Sequence, residues 1–311
     1  MRLMLSYVIW ITLSESFSKM YCEVPDKIVT PSLDSFSQNY RQEIHMANTR
    51  AVITGASSGI GAAFARKLAP EYDLLLVARR GDKLALLAAE LKAAHNTDVQ
   101  IHVADLANPP EVAALAEKIA ADPRLGLLVN NAGFGTRGRF WEATLASQEQ
   151  MHQLHVMATV HLTHAALGNM VPRNQGAVVN VASVAGFARS QGSVSYCATK
   201  SWLNIFSEGL YLELRGLNSR VSVQTLCPGF TYSEFHDTMA IERESLAGKA
   251  LWLTPEQVVD ASLAGLRSGK LYVIPGWRYR LLTALISKLP SGIRLKFELA
   301  RGSQRVANAA K

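Results

Sequence analysis

Tyr196 and Lys200 stand four residues apart in the segment SYCATK, and their types and spacing suit proton transfer. On a helix, residues at this spacing project from the same face. An ammonium group beside a phenol stabilises the phenolate and lowers a pKa that otherwise lies near ~10. A phenol adjusted in this way can donate and accept protons near neutral pH. The pair alone is also typical of a solvated helix surface, so its meaning depends on the elements that position it.

From residue 50 onwards, short runs of Val, Ile and Leu alternate with longer stretches of helical period. The short runs are apolar on both faces, which is typical of parallel strands covered by helices. The pattern predicts an α/β fold with one doubly wound domain over residues 46–276. The predicted strands are Arg50–Thr54, Asp73–Ala78, Asp98–Ala104, Gly126–Asn130, Ala177–Ala182, Arg220–Leu226 and Lys270–Ile274. The predicted helices are Gly59–Ala69, Asp82–Ala94, Pro110–Ala121, Ser147–Met170, Ser195–Leu214 and Pro255–Gly265.

The first predicted strand runs into the glycine-rich segment TGASSGIG, which ends at Gly61. Ligands of open parallel sheets bind beyond the carboxyl ends of the strands. Gly55 permits a tight turn there, and Gly59 and Gly61 let the backbone and the following helix approach a pyrophosphate group. The segment predicts a dinucleotide site, with contacts from its glycines and from the residues between them, Ser57, Ser58 and Ile60.

The second predicted strand ends in Ala78, Arg79 and Arg80. A protein that binds NAD usually places an acid here, which grips the ribose 2′-hydroxyl. In this chain no carboxylate repels a 2′-phosphate and two guanidinium groups can bind it, with Arg79 the stronger candidate. The sequence therefore favours NADP(H) over NAD(H). The alternative is a pair of exposed arginines.

The third and fourth predicted strands also end in segments that suit a cofactor. Asp105 can bond the adenine edge after the third strand, while Leu106 packs on the ring. The fourth strand ends in NNAG, whose small residues let the chain pass close to a ligand. We expect cofactor contacts there from Asn131, Ala132 and Gly133.

The fifth predicted strand places Ser183 at its tip, thirteen residues before the tyrosine of SYCATK. A serine hydroxyl there can hydrogen-bond a substrate carbonyl while the tyrosine hydroxyl donates the proton. After the sixth strand, Pro228 and Gly229 open a long loop. In that loop Thr231 or Ser233 can reach a cofactor amide or phosphate.

In order and spacing, TGASSGIG, NNAG, Ser183, the Tyr196-x3-Lys200 pair and the late Pro-Gly pair resemble the short-chain dehydrogenase/reductase family. The resemblance covers about residues 48–276. It implies a single Rossmann domain whose seven strands form one parallel sheet, with no metal. It also implies that Tyr196 is the general acid/base, that Lys200 lowers its pKa and holds the nicotinamide ribose, and that Ser183 orients the substrate carbonyl. The variants ARR, at the end of the second strand, and PGFTYSEFH, after the sixth, resemble the NADP-preferring branch, which includes many uncharacterised bacterial oxidoreductases.

One position departs from the family pattern. The family often has an asparagine in the helix after NNAG, as part of a water-linked proton relay, and His155 stands there in this chain. We expect His155 either to hold a relay water or to titrate and make activity depend on pH. The spacing disfavours a metal site, because at ~100° per residue the neighbouring histidines point to opposite sides of a helix. These neighbours are His152, His161 and His164.

Composition and charge narrow the class of protein. The chain has 311 residues, is 49% hydrophobic and carries a formal net charge of +7. Ten Lys and Arg residues and one acid lie from Arg267 to the end, so the main body is nearly neutral. We therefore expect no nucleic-acid partner, since such a domain carries its positive charge in its main body. Three scattered cysteines fit neither a disulfide framework nor a metal cluster, and they favour a cytoplasmic protein.

The first 45 residues differ from the rest. MRLMLSYVIWITL is apolar, but it is short for a membrane span and no clear signal-peptide cleavage site follows it. Ser, Gln, Asn and Pro then dominate. We interpret residues 1–45 as a disordered extension or a misassigned start, with Met46 as the working initiator.

The loop after the sixth strand is rich in large apolar residues. These are Phe230, Tyr232, Phe235, Met239, Ile241, Leu246, Leu251 and Trp252. They predict either an apolar substrate pocket or plain packing against the sheet. A hydrophobic ketone or aldehyde is the expected substrate.

The C-terminal tail, residues 277–311, is basic and amphipathic. Its apolar stripe consists of Leu282, Leu285, Ile286 and Leu289. We expect the stripe to dock against the domain or a second subunit, and we expect a homo-oligomer, since homodimers are common. Peripheral contact of residues 277–301 with an anionic membrane is the alternative.

These observations predict an oxidoreductase that reduces a carbonyl to an alcohol with NADPH, or runs in reverse. A nucleotide-binding sensor or scaffold with little turnover is the alternative. Only His155 favours that alternative, because Ser183, Tyr196 and Lys200 are all present.

Overall fold

A computed structural model describes residues 49–136, 138–234, 251–296 and 298–299 of the protein. The N-terminal segment with Met46 and several apolar residues of the loop after the sixth strand lie outside these ranges. Those loop residues are Phe235, Met239, Ile241 and Leu246. Among the described helices, none is both long and apolar enough to cross a membrane.

The described residues form one sheet of parallel strands. The strands are β1 (Arg50–Thr54), β2 (Asp73–Ala78), β3 (Val99–Val103), β4 (Leu125–Asn130), β5 (Ala177–Val181), β6 (Ser222–Leu226) and β7 (Tyr272–Val273). Their spatial order is β3-β2-β1-β4-β5-β6-β7. The chain winds outward from β1 through β2 and β3, then crosses back to place β4 on the other side of β1. This reversal opens a crevice at the carboxyl ends of β1 and β4, where such sheets bind ligands.

Helices cover both faces of the sheet. They are α1 (Gly59–Leu68), α2 (Gly81–His95), α3 (Pro109–Ala120), α4 (Leu145–His152), α5 (Ala158–Met170), α6 (Val194–Gly216), α7 (Pro255–Arg267) and α8 (Trp277–Lys288). A π-helical turn, Gln153–Met157, joins α4 to α5, and a 3₁₀ turn, Val184–Phe187, follows β5. The helices α1, α2 and α7 share one apolar core with the sheet, and α3, α5 and α6 share the other.

Strand β1 shows why the central strands are apolar on both faces. Ala51 and Ile53 enter the core under α1, while Val52 enters the core under α3. Each is at most 1% exposed. Full burial of a Val or Ile side chain stabilises a fold by about 1.5–3 kcal/mol. A strand of this composition is therefore stable only between two helical layers.

The predicted α/β architecture and its parallel sheet are confirmed. Every strand lies within two residues of its predicted ends. The one helix that differs in kind is the predicted Ser147–Met170, which begins at Leu145 and is divided by the π turn. A π turn widens one turn by one residue, which hardly changes the apolar period, so the sequence pattern does not reveal it.

Helix α8 packs against the domain, but the predicted apolar stripe is only partly its buried face. Ile286 is buried together with Tyr279 and Thr283. Leu285 is 59% exposed, and Leu281 beside it is 63% exposed. The packing of α8 therefore agrees with the expectation that the tail docks on the domain. The face that docks carries Tyr279, Thr283 and Ile286, and of the predicted stripe it includes only Ile286.

Tyr279 fixes the position of α8. Its ring is 4% exposed and packs over Gly229. Its hydroxyl accepts a hydrogen bond from the backbone N–H of Phe230 at 2.9 Å and donates one to the carbonyl of Leu251 at 2.6 Å. Both ends of the loop after β6 are therefore tied to one phenol.

This packing predicts the effect of a methyl group at Gly229. An added Cβ there would lie 2.0 Å from Cζ of Tyr279, so the ring must move. We expect Gly229→Ala to lower the free energy of unfolding in urea by about 1–3 kcal/mol. The control is Gly209→Ala on the exposed side of α6, where nothing lies within 4 Å of the added Cβ. We expect the control to raise stability by about 0.5–1 kcal/mol. Wild-type stability in Gly229→Ala would contradict this packing.

Candidate active site

A cavity of about 840 Å³ lies at the carboxyl ends of the strands. The predicted site residues in its lining are Gly55, Ser57, Ser58, Gly59, Ile60, Arg79, Arg80, Asp105, Leu106, Asn131, Ala132, Gly133, Ser183, Tyr196, Lys200, Pro228, Gly229 and Thr231. Two predicted residues, Gly61 and His155, lie outside the lining. The fold thus brings together residues that follow six different strands.

The glycine-rich turn after β1 has the conformation that its sequence predicts. Gly55 and Gly59 have φ angles of +67° and +54°, in the left-handed region that favours glycine. Gly61 packs against the turn itself. A Cβ at this position would lie 2.3 Å from the carbonyl oxygen of Gly55, so only glycine fits. The turn leads into the N-terminus of α1, whose backbone amides suit an anion such as a pyrophosphate.

Thr54 joins this turn to the loop after β4. Its hydroxyl donates to the carbonyl of Val129 at 3.2 Å and accepts from the backbone N–H groups of Asn131 and Ala132 at 2.9 and 3.0 Å. The Asn131 side chain donates to the carbonyl of Thr54 at 2.8 Å. Asn131 therefore lines the cavity and also holds its two central loops together.

Ser183, Tyr196 and Lys200 meet at one side of the cavity. The hydroxyls of Ser183 and Tyr196 are hydrogen-bonded to each other. The Ser183 hydroxyl also accepts from the backbone N–H of Ala185 at 3.1 Å, which fixes the serine. Lys200 is 5% exposed, and its Nζ donates to the carbonyl of Val181 at 2.7 Å. The same Nζ lies 5.8 Å from the centroid of the Tyr196 ring.

The electrostatics of this group differ from the sequence expectation. Desolvation raises the pKa of Tyr196 to about 12, against the smaller lowering effect of the Ser183 hydrogen bond. Desolvation also lowers the pKa of Lys200 to about 8. The expected lowering of the Tyr196 pKa by Lys200 is therefore not observed. The physical reason is that the half-buried phenol loses hydration, and the Lys200 ammonium donates to a backbone carbonyl.

His155 lies behind the cavity wall and is 1% exposed. Its Nε2 accepts from the backbone N–H of Phe134 at 3.1 Å. Its Nδ1 lies 3.0 Å from the Thr199 hydroxyl, which itself donates to the carbonyl of Tyr196 at 3.1 Å. These bonds require a neutral imidazole that carries its proton on Nδ1.

Both ring nitrogens of His155 therefore lie within hydrogen-bond distance of protein groups. The π turn places the ring, and Gly133 leaves room for it, because a Cβ at Gly133 would lie 2.8 Å from Nε2. The relay or titrating role of His155 stays a prediction, and the contacts of the ring are those of a side chain that positions its neighbours. His155 connects the loop after β4 to the helix that carries Tyr196.

Basic side chains and hydroxyls form a cluster at the end of β2. Arg80 donates to the Ser57 hydroxyl at 2.8 Å, to the Ser58 hydroxyl at 2.9 Å and to the carboxylate of Glu234 at 2.6 Å. Lys83 donates to the other oxygen of Glu234 at 2.6 Å. Arg79 lies beside this cluster and is exposed. The expected basic site thus exists, but Arg80 is its most contacted member.

Another part of the cavity lining carries apolar side chains, beside the polar Thr283 and the charged Glu298. Phe230 from the loop after β6 and Leu282 and Ile286 from α8 lie in its lining. Phe230 also packs against Trp252, with ring centroids 5.4 Å apart. Phe230 therefore both lines the cavity and packs against a neighbouring ring, as the two alternatives for this loop predicted. Trp252 packs without lining the cavity.

Comparison with known proteins identifies the family. The family model for the short chain dehydrogenase matches residues 49–244. The chain belongs to this family. It is an oxidoreductase of the short-chain dehydrogenase type, as its motifs predict.

Solved structures of this family share the fold. A short-chain dehydrogenase from Sphingobium yanoikuyae in complex with NADPH is 34% identical with a TM-score of 0.70, over 78% of this chain and 97% of that one. The bulky-bulky ketone specific alcohol dehydrogenase from Comamonas testosteroni is 30% identical with a TM-score of 0.66, over 78% and 95%. A family member from Burkholderia phymatum in complex with NAD is 27% identical with a TM-score of 0.68, over 78% and 93%.

The sequence predictions give no role to four of the residues that shape this site, although three of them, Thr54, Thr199 and Glu234, lie inside quoted motifs. Thr54, Lys83, Thr199 and Glu234 act through contacts with residues distant in the sequence. Lys83 had a usable signal, since it stands one turn after Arg80 at the start of a predicted helix. Glu234 had none, because nothing local in its loop indicates a partner on α2.

His155 predicts a measurable pH dependence of stability. Desolvation, with the charge of Lys200, holds the pKa of His155 well below its usual range. The unfolded state therefore binds a proton that the folded state refuses, and stability falls as pH drops below about 6.5. Below that pH, the free energy of unfolding should fall by up to about 1.4 kcal/mol per pH unit because of His155. We expect His155→Asn to abolish this contribution. The measurement is the free energy of unfolding at about pH 7.5 and about pH 5.5.

The control is His161→Asn at an exposed position of α5, which should keep the wild-type difference between the two pH values. His155→Asn also removes the bonds to Phe134 and Thr199, which lowers stability at both pH values. The difference in unfolding free energy between the two pH values separates the effect of protonation from the effect of the lost hydrogen bonds. An unchanged difference in His155→Asn would contradict a neutral, buried His155.

Proposed function

We propose that this protein is an NADPH-dependent reductase of hydrophobic ketones or aldehydes that also runs in reverse. The observation that carries the proposal is the hydrogen bond between Ser183 and Tyr196 in the cavity wall. This pair faces the same space as the glycine-rich turn and has Lys200 behind it. The alternative, a sensor with little turnover, has less support because His155 is fully bonded and leaves this group intact.

The residues present fit a nicotinamide dinucleotide. Gly55 and Gly59 lie where an added Cβ would collide with Asn131 and Ser233, and the turn opens into a helix N-terminus that suits the pyrophosphate. A bound nicotinamide supplies or accepts the hydride in this chemistry. We propose that Asp105 and Leu106 contact the adenine and that Arg79 and Arg80 contact a 2′-phosphate. Asn131, Ala132 and Gly133 contact the central portion of the cofactor. Tyr196 and Lys200 contact the nicotinamide ribose, and Pro228, Gly229 and Thr231 contact the amide end.

Tyr196 and Ser183 carry the proton chemistry in this proposal. Because the Tyr196 pKa is about 12, the free protein holds the phenol, which is the form that protonates a carbonyl oxygen. The Ser183 hydroxyl orients that oxygen. After the proton leaves, the Ser183 hydroxyl and the nearby charge of Lys200 stabilise the phenolate. A pKa of about 8 leaves Lys200 mostly charged at neutral pH.

The preference for NADPH over NADH rests on side chains. Arg79 and Arg80 lie in the cavity lining at the end of β2, and the residues of that strand end, Ala78 to Arg80, include no carboxylate. Solved relatives bind either form, since one holds NADPH and another holds NAD. The arginines therefore decide for NADPH in this proposal.

The proposal of a hydrophobic substrate rests on the apolar side chains of the cavity lining. Phe230, Leu282 and Ile286 supply no hydrogen-bonding side chain to a ligand there. A relative at 30% identity is described as specific for bulky ketones. We infer a carbonyl compound with apolar groups on at least one side.

The test of this function is turnover of a panel of ketones and aldehydes with NADPH, in wild type and Tyr196→Phe. Loss of the acid should lower kcat/KM by about 10²- to 10⁴-fold, while NADPH binding weakens only by the loss of one contact to the nicotinamide ribose. The control is Tyr211→Phe on the same helix, which should keep wild-type turnover. Turnover that survives Tyr196→Phe would overturn the assigned proton donor. Tight NADPH binding without turnover would favour the sensor.

Helix α8 supports a second proposal, contact with an anionic membrane surface. Its outward side carries Trp277, Leu281 and Leu285, which are 60%, 63% and 59% exposed. Arg278 and Lys288 are exposed on the same side. Like charges would repel across a contact between two copies of this face, whereas anionic lipid complements them.

Co-sedimentation with phosphatidylcholine vesicles, with and without phosphatidylglycerol, tests this contact. We expect the full chain to pellet only with the anionic vesicles, and less at high salt. Leu281→Ser with Leu285→Ser should abolish pelleting. The control is Ile205→Ser with Leu212→Ser, which removes two equally exposed apolar residues from α6. Equal pelleting of both double variants, or none of the wild type, would refute the contact.

A further inference from the structure

Glu234 supplies the carboxylate that the end of β2 lacks. It comes from the segment 229–234 after β6, far from β2 in the sequence, and lines the same cavity as Arg80. One carboxylate oxygen accepts from Arg80 and the other from Lys83, both at 2.6 Å. Ser58 also bonds to it. A single carboxylate therefore occupies a cradle of two cations and a hydroxyl.

The donors in this cradle suit a phosphate monoester better than a carboxylate. Arg79, Arg80 and Lys83 bring three positive charges to the end of β2, against the carboxylates of Glu234 and of Asp82 in the same segment, so one positive charge remains. A phosphate monoester carries nearly two negative charges and three acceptor oxygens, and guanidinium and ammonium groups bind it strongly. The cofactor's 2′-phosphate and the Glu234 carboxylate therefore need the same donors.

The backbone before Glu234 lies over the glycine-rich turn. A Cβ at Gly59 would lie 2.9 Å from Cβ of Ser233. The contact of Ser233 with the turn and the ion pairs of Glu234 are independent observations, and both place segment 229–234 across the proposed dinucleotide site. Glu234 is 42% exposed, as is Arg80, so solvent and ligand can reach the ion pair.

We propose that Glu234 weakens the preference for NADPH over NADH by competing with the 2′-phosphate for Arg80 and Lys83. The inference rests on the proposed cofactor function. Bound NADPH must displace the carboxylate and then bear its repulsion. Bound NADH carries a 2′-hydroxyl, which leaves the ion pairs in place and can donate a hydrogen bond to Glu234, as an acid at the end of the second strand does in NAD-binding sheets.

Binding of each cofactor to Glu234→Gln, measured by calorimetry without substrate, tests the proposal. The amide keeps the size of the side chain but removes its charge. We expect NADPH to bind about three- to tenfold more tightly than to wild type, the range expected for two partly exposed ion pairs. NADH affinity should stay within about twofold or weaken. The control is Glu90→Gln, which breaks the exposed ion pair with Arg66 and should change the affinity for neither cofactor.

Two further measurements isolate the phosphate. The affinity for adenosine 2′,5′-bisphosphate should change in Glu234→Gln as the affinity for NADPH does. The affinity for adenosine 5′-monophosphate should change as that for NADH does. Both fragments lack the nicotinamide, so a difference between them reports the 2′-phosphate. Adding Lys83→Gln to Glu234→Gln should remove most of the NADPH gain, since one of the freed cations is lost.

The outcomes separate this inference from the proposed function. If wild type binds NADPH and Glu234→Gln binds it equally well, the role of Glu234 is refuted while cofactor binding stands. Equal tightening of both cofactors also refutes it, because that result reports a general change in the loop. If wild type binds neither cofactor, the proposed function and this inference both fail.

Discussion

The hydrogen bonds of the Thr54 hydroxyl hold the crevice between β1 and β4 in its shape. They fix the loop after β4 against the glycine-rich turn, through the backbone of Asn131 and Ala132. The same loop continues to Phe134, whose N–H bonds to His155. From there the contacts run through Thr199 to the backbone of Tyr196. A continuous series of hydrogen bonds between buried or partly buried groups therefore connects the turn to helix α6.

This continuity explains the tolerance for histidine at position 155. A side chain there must fill the space over Gly133 and satisfy two buried polar partners, Phe134 N–H and the Thr199 hydroxyl. An imidazole with one proton meets both demands, since one ring nitrogen accepts and the other donates. The cost of a buried polar group is thereby avoided. The side chain does this work by geometry, at some distance from the cavity that Tyr196 faces.

The sequence predicts what depends on neighbours along the chain. The glycine-rich turn, the strand ends and the Tyr196–Lys200 spacing follow from local period and from residues that permit unusual backbone angles, and the structure places them as expected. The π turn, the buried face of α8 and the partners of Glu234 depend on packing between distant segments. The Tyr196 pKa belongs to the same class: the spacing brings Lys200 onto its face, but hydration of the phenol depends on everything else around it.

The segment 229–234 connects two chemically different parts of the cavity lining. At its start, Phe230 contributes to the apolar part and its N–H is held by Tyr279 of α8. At its end, Glu234 is held by Arg80 and Lys83 at the basic part. A short backbone cannot shift freely at one end when the other is fixed. A ligand that displaces Glu234 therefore acts on the same segment that positions Phe230 and α8. The proposed cofactor preference and the position of Phe230 in the cavity lining therefore depend on the same short segment.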